Sequence, residues 1–343
     1  MSKVFKTSIE SSHMNWELIK LRLVMGLSAI TIVLLSIAVL VGIAELLSGG
    51  SLALGIDLIS GMLILVLIIN IAQWLFGPYM INAAYRAHEI TPDDPSYGWV
   101  VDVVDEVAKA NGFSKPPKVY IAEAPFPNAF AYGSPIAGKR VAITRPALKI
   151  LNKDELAAVL GHELGHLRHR DVEFLMAIGL IPALIYWLGY SLMWSGMWGG
   201  AWGERGNNGS MLLIGVALLG VSFLFQFVLL YVNRLREAYA DVNSALTIPN
   251  AAKNLQRALA KIVLYMDPRT IAKIKKSPTN NMVKMLFFAP ADDKISREAS
   301  DADVDELIDY WRNYKPTPWD DILSDHPHPA KRIQLLDKIA QAQ

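Results

Sequence analysis

Between Arg22 and Glu45 the chain carries no charge, and Leu, Ile and Val dominate. Those roughly 22 residues, wound as a helix, can cross about 30 Å of hydrocarbon. A second charge-free run goes from Leu58 to Phe76, where Gly77-Pro78 is expected to close it. A third begins after Glu173 and lasts to Gly203, with Trp187, Trp194, Trp198 and Trp202 in its second half. The fourth extends from Met211 to Val232 and then meets Arg234 and Arg236. Buried helices of a soluble protein rarely sustain such runs without charge, so four transmembrane helices are predicted. The first is a retained anchor rather than a cleaved signal. It is too long for a secretory core, starts about twenty residues in, and lacks a small-x-small site before a polar mature chain.

The polar segments between these runs read as folded. Val and Ala recur at helical spacing over Trp99–Ala110, and Asn111-Gly112 supplies a stop. Lys118–Ala122 and Arg140–Thr144 alternate as short strands. Asn152, with Glu155 three residues on, predicts a capped helix that passes through His166 and on toward the third span. Lys273–Lys276 and Asp292–Asp309 are charged and irregular, the pattern of surface helix and loop. The predicted fold is therefore mainly α. Residues 1–82 hold the N-terminal segment and two spans, and 174–232 hold two more. The segments 83–173 and 233–343 combine into one α+β domain with a small sheet.

Lys3, Lys6, Lys20 and Arg22 precede the first span, the loop Ser48–Asp57 has no basic residue, and the loop after the third span has only Arg205 beside Glu204. Basic residues stay on the cytoplasmic side. Both termini and both polar segments are thus expected in the cytoplasm of a multi-pass cell-membrane protein. Of 343 residues, 52% are hydrophobic and only 19% are charged, against about 25% charged in soluble domains. The net charge of +1 lacks the basic excess of a nucleic-acid binder. Cysteine is absent, which rules out thiolate metal sites and a cysteine nucleophile. Any metal must be held by His and carboxylate.

His162-Glu163-Leu164-Gly165-His166 lies inside the capped helix. Histidines four apart leave the same helix face and can reach one ion, and Glu163 beside them can take a proton from a water on that ion. A catalytic zinc needs a third protein ligand and one open position. His169 lies three residues past His166, and one helix face cannot readily wrap three ligands around a tetrahedral ion. It is expected to be interfacial or solvated. Glu237, in Arg236-Glu237-Ala238-Tyr239-Ala240-Asp241, is the better candidate. Glu237 and Asp241 are again four apart, so one carboxylate can bind metal while the other accepts the N–H of a ligating imidazole.

His162–His166, the preceding Asn128-Ala129-Phe130-Ala131-Tyr132-Gly133, the span pair, the Arg236–Asp241 segment and the late His326-Pro327-His328-Pro329-Ala330-Lys331-Arg332 together resemble the HtpX-type membrane zinc proteases. These are relatives of the CAAX-processing proteases. The resemblance covers nearly the whole chain. It implies a zincin-like domain binding one Zn2+ per chain through His162, His166 and Glu237, with Glu163 as general base and acid and Asp241 behind the ligands. Asn128, Ala129 and Phe130 would lie on a substrate-binding edge strand. His326 and Arg332 match a late His-Pro…Arg pattern whose histidine helps polarise the scissile carbonyl, although His328 stands where a second proline is usual. The implied role is stress-response quality control, with misfolded or unfolded membrane proteins as substrates. Two other readings are a specific CAAX-type processing protease and a non-enzymatic zinc-binding scaffold. Against the scaffold or transporter reading, the span interiors contain no ionisable residue that could mark an ion path.

Overall fold

The described parts of all four apolar runs are helical in the computed structural model, which describes residues 2–47, 52–198, 208–267 and 300–342; residues 199–203 of the third run lie outside them. The chain forms two compact units, residues 22–74 with 172–233, and residues 1–21 with 75–171 and 234–343. The first unit is built from the apolar parts of helices α1 (Ser2–Leu47), α2 (Leu52–Ala84), α6 (Asp171–Trp198) and α7 (Asn208–Thr247), whose remaining residues belong to the second. Each contains a stretch long and apolar enough to cross a membrane. Ile32, Ile185, Leu188, Leu218 and Phe225 are buried among these helices. Leu27, Leu34, Leu65, Leu213 and Leu224 face outward, as lipid-facing positions do. α6 and α7 approach closely at Gly189 and Gly215, where a Cβ on either would overlap backbone of the other helix. Small residues allow this intimacy where hydrocarbon removes the hydrophobic drive to pack.

Two boundaries differ from the sequence expectation. α2 does not stop at Gly77-Pro78 but continues through Pro78 to Ala84. Pro78 removes one backbone donor, and the helix persists because residues around it continue the same apolar stretch. The helix carrying His166 does not merge with the third span. α5 (Lys153–His169) ends at Arg170, whose left-handed backbone (φ 55°) breaks the chain direction before α6. α7 in turn extends well past Val232, so that Glu237 and Asp241 lie on its last turns.

The second unit carries a four-stranded mixed sheet in the order β1-β2-β4-β3. These strands are β1 (His88–Ile90), β2 (Lys118–Ala122), β3 (Ala129–Ser134) and β4 (Gly138–Thr144). β2 and β4 run parallel, with Val119 opposite Val141 and Ile121 opposite Ile143. β3 returns antiparallel on β4 through a three-residue loop, with Gly138 in the left-handed region (φ 71°). Alternation divides the sheet into two faces. Val119, Ile121, Val141, Ile143 and Ala129 join the main core with α3 (Gly98–Ala110), α5 and α8 (Ala251–Met266). Tyr120, Ala122, Tyr132 and Ala142 pack instead with Ile81 and Tyr85 of α2. The short helix α4 (Arg145–Ile150) follows β4 directly.

A smaller core joins α8 to α9 (Asp301–Asn313) and α10 (Pro329–Ala342) around Trp311. Of the surface helix and loop expected over Asp292–Asp309, the described part is helix, and it is not wholly on the surface. Val304, Leu307, Ile308 and Trp311 give α9 a buried face, and its charges occupy the other side. The segment Lys273–Lys276, residues 292–299, the span-connecting residues 48–51 and Arg205 with Glu204 lie outside the described residues. α5 starts at a complete capping box. Asn152 accepts from Glu155 N–H at 2.8 Å, and Glu155 Oε2 accepts from Asn152 N–H at 3.0 Å. Glu155 is also held by Lys261 from α8 at 2.8 Å. Asn152→Ala is expected to destabilise the protein by about 1 kcal/mol, read as a lower unfolding midpoint in detergent.

Candidate active site

α5 and α7 must approach closely for His162, His166 and Glu237 to meet. Gly161 and Gly165 of α5 make this possible, because Ser244, Ile248 and Asn243 of α7 occupy the space where their side chains would stand. Ser244 Oγ donates to Ala158 C=O at 2.6 Å, and Asn243 Nδ2 donates to Gly161 C=O at 3.1 Å. The contact is therefore both close and hydrogen-bonded.

The two imidazoles point their Nε2 atoms at one another across 3.2 Å. His162 Nδ1 lies 2.8 Å from Asp241 Oδ1, and His166 Nδ1 lies 2.6 Å from Asp171 Oδ2. Ionised carboxylates only accept, so each Nδ1 bears the proton and each Nε2 presents a lone pair. Glu237 completes the group, with Oε2 3.5 Å from His162 Nε2 and Oε1 3.3 Å from His166 Nε2. Two lone pairs and a carboxylate thus converge on one point. Ligand bonds of about 2.0–2.1 Å in a tetrahedral site place the ligand atoms about 3.3–3.4 Å apart. One ligand atom from each of His162, His166 and Glu237 lies within 4.8 Å of the others, a spacing that can close on a zinc-sized ion. Charge agrees in sign: the carboxylates Glu163, Glu237, Asp241 and Asp171 outnumber the guanidiniums Arg332 and Arg236 that pair with them, which suits a cation.

The backing carboxylates are themselves pinned. Arg332 clamps Asp241 through Nε at 2.9 Å and Nη2 at 2.7 Å. Arg236 pairs with Asp171 and donates to His169 C=O. Burial pushes both site imidazoles down, but Asp241 and Glu237 around His162, and Glu237 and Glu163 around His166, outweigh it and raise them. Burial likewise opposes the Arg332 charge, and Asp241 more than compensates. His326 reaches Glu237 Oε2 with Nδ1 at 2.9 Å, and that contact raises the imidazole against burial.

Asn128, Ala129, Phe130, His162, Glu163, His166, Glu237, His326 and Arg332 all line one cavity of about 440 Å³. Its opposite wall is apolar, from Val159 of α5 and Leu255, Leu259, Ile262 and Val263 of α8. Asp241 sits fully buried behind His162. Arg332, expected at the substrate, turns the two donors of its fork to Asp241. Its principal contact is therefore with the group behind the imidazole. Asn128 is held by its backbone, donating to Thr144 Oγ1 at 2.8 Å and accepting Thr144 N–H at 2.9 Å. β3 is the edge of the sheet, and Ala131 N–H turns away from β4 to donate to Glu163 Oε2 at 3.3 Å.

His169 does not join the group; its ring packs edge-on against Tyr239 at 4.5 Å. His328 stacks on Tyr314 at 4.9 Å, accepts Ala330 N–H at 3.1 Å, and is pushed down by burial. Sequence reasoning missed Asp171 and Arg236. Asp171 stands five residues after His166, past the break at Arg170, where helical spacing carries no information.

A protein with four membrane-length helices and this His-His-Glu group, with a glutamate beside it, is a membrane metalloprotease in its construction. Residues 95–340 match peptidase family M48, and the chain belongs to that family. It is 56% identical over 330 residues to "Protease HtpX homolog 2" of Saccharolobus solfataricus, covering 96% of this chain and all of that one. It is 48% identical to "Protease HtpX homolog" of Thermoplasma volcanium, covering 95% and 96%. Among solved structures, S. mikatae Ste24p shares the fold with a TM-score of 0.50 at 17% identity, over 93% of this chain and 67% of that one. Membership in the family implies a metal ion, and the metalloprotease activity follows from it.

The close packing of α5 on α7 yields a stability test. Gly161→Val would drive a side chain into Ser244 and Ile248. The expected cost is about 1–3 kcal/mol from overpacking, seen as a lower unfolding midpoint.

Proposed function

We propose that this chain is a zinc-dependent endopeptidase of the cell membrane, acting on the cytoplasmic side on misfolded or damaged membrane proteins. The observation that carries the zinc assignment is the Nε2 pair 3.2 Å apart, with Glu237 facing both imidazoles. His162, His166 and Glu237 would hold the ion, while Asp241 and Asp171 keep each imidazole in the ligating tautomer. Bound there, zinc supplies Lewis acidity and makes a water ionisable near a pH of about 7. Glu163 takes the proton of the attacking water and returns it to the leaving amine. The Ala131 N–H on its Oε2 orients that carboxylate beside the edge strand. His326 sits half-exposed at the cavity rim, where its raised pKa favours an N–H donor for the carbonyl oxygen as charge develops. Arg332 acts through Asp241, whose position it fixes.

An extended substrate would add as a strand to β3 at Asn128, Ala129 and Phe130, since β3 has one edge without a partner strand. Recognition then rests mainly on backbone, which suits a protease that meets unfolded segments of many sequences. The apolar wall of α8 would accept hydrophobic side chains, the ones most abundant in extracted membrane segments. The cytoplasmic orientation follows from the basic residues before the first span and in the polar segments.

Glu163→Gln should retain zinc and lose about 10²–10⁴-fold in cleavage rate. Normal turnover by this variant would remove Glu163 from the chemistry. Glu237→Ala should lose the metal along with the activity, leaving only two imidazoles. Asp241→Ala and Asp171→Ala should weaken metal affinity by about 10–100-fold. Metal content after identical purification separates these outcomes. Retention of zinc by Glu237→Ala would exclude it as the third ligand. Cleavage of an unfolded membrane protein in preference to a prenylated peptide is expected for a quality-control role. For orientation, Gly209→Cys should react with an impermeant thiol reagent on intact cells and Asn313→Cys should not. Labelling of Asn313→Cys alone would invert the topology.

A further inference from the structure

The tip of the β3–β4 hairpin, residues Ser134–Gly138, is bonded to the apolar part of α2. Ser134 Oγ donates to Leu75 C=O at 2.9 Å. That carbonyl lies in the turn preceding Pro78, one residue after the Trp74 C=O that the proline leaves without its helical donor. Leu75 lies inside the membrane-length stretch Ser60–Ala84, and no charged residue occurs between Leu58 and Tyr85. A span of about 20 residues beginning at Ser60 ends near Met80, which puts Leu75 within the hydrocarbon margin.

The rest of β3 follows α2 in step. Its even-numbered side chains share one face of the sheet. The Phe130 ring packs on Tyr85 at 5.2 Å, Tyr132 Oη lies 2.5 Å from the Asn82 amide, and Ser134 reaches Leu75. Ten residues of helix cover about 15 Å, and four of strand about 13 Å, so the two run antiparallel side by side. β3 therefore leads from the catalytic cleft toward the membrane-buried part of α2.

The tip is built for an apolar setting. Pro135 has no N–H to satisfy. Ala137 N–H donates to Ser134 Oγ at 3.1 Å, and Ala137 C=O accepts from Arg140 Nε at 3.3 Å. The Arg140 guanidinium is buried over the rings of Tyr79 and Tyr120, at 4.8 and 5.3 Å. Outward from these bonds stand Ile136, 53% exposed, with Phe76 at 56% and Met80 at 67% on α2. Exposed large apolar side chains beside a membrane-length stretch mark a lipid surface.

The geometry points to the β3–β4 hairpin tip as a lipid-contacting element that makes the β3 edge a continuous guide from the bilayer to the catalytic cleft. Membrane-inserted substrate segments would pair with the Ser134 end of β3 as they leave the lipid and slide toward Ala129. This guide rests on the reading of β3 as the substrate strand, whereas the lipid contact of Ile136 does not.

The chain has no cysteine, so single labels are unambiguous. Ile136→Cys, Leu65→Cys and Ser96→Cys in the full chain are each labelled with NBD and reconstituted in phosphatidylcholine vesicles. Leu65 is the lipid-facing reference and Ser96 the exposed polar one. Nitroxide lipid should quench Ile136→Cys as it does Leu65→Cys, and iodide should quench it several-fold less than Ser96→Cys. Iodide quenching equal to that of Ser96→Cys would overturn the lipid contact. In the same vesicles, Ile136→Asp should slow cleavage of a membrane-anchored unfolded segment several-fold while leaving a soluble unfolded substrate unchanged. Equal loss on both substrates, or on neither, would overturn the guide. Failure of the catalytic reading shows itself separately, as full activity of Glu163→Gln on the soluble substrate.

Discussion

Two imidazoles with their lone pairs aimed at each other repel unless something positive stands between them, and much of the second unit is arranged to keep them there. Asp241 and Asp171 hold Nδ1 of His162 and His166, and Arg332 and Arg236 hold the two aspartates. Each arginine lies far in sequence from its histidine. Arg332 comes from α10 and Arg236 from α7, so the site exists only when α5, α7 and α10 are assembled. Buried carboxylates with paired guanidiniums are costly to desolvate, and removing one partner leaves an uncompensated buried charge. The folding of three helices and the capacity to bind a cation are thus one event.

Much of this was legible in the sequence because the relevant spacings are local. His162 with His166, and Glu237 with Asp241, are both pairs four apart on helices, so each pair shares one helix face, although spacing alone reads the second as an ordinary charged face. Asn152 and Glu155 announced the start of α5, and Lys118–Ala122 the strand β2, through equally local patterns. What stayed hidden depends on contacts between distant residues or on breaks in periodicity. Asp171 follows a left-handed Arg170, so its approach to His166 violates any helical register. The clamp of Arg332 on Asp241 spans 91 residues. Pro78 looked like a stop because its cost is intrinsic, while the helix continues within an apolar stretch where its backbone groups have few other partners. The buried face of α9 was hidden because its charges are dense. Four apolar residues at helical spacing suffice to bury one face however many aspartates line the other.

The position of the cleft follows from how the sheet is used. β3 has three surfaces, each with a separate task. Its odd-numbered side chains are small, since Ala129, Ala131 and Gly133 face the layer that holds α5. That economy of volume lets the strand lie close enough for Ala131 N–H to reach Glu163. Its even-numbered side chains, Phe130, Tyr132 and Ser134, are larger or polar and fasten the strand to α2. Among the described residues, only the backbone edge opposite β4 is without a partner strand.

An edge strand left open is ordinarily a hazard, because its unpaired N–H and C=O groups invite any extended chain. On the proposed function that hazard would become selectivity by placement. Glu163 sits beside β3, so a chain pairing with that strand would be brought alongside the group proposed to move a proton. A folded protein has no extended segment to offer, and a long flexible one does. Discrimination of this kind needs no side-chain pocket and tolerates wide sequence variation, because it reads the availability of backbone hydrogen bonds rather than residue identity. On the same proposal the apolar α8 wall would add a modest preference for hydrophobic residues, which are exposed in extended form chiefly when a protein has failed to fold.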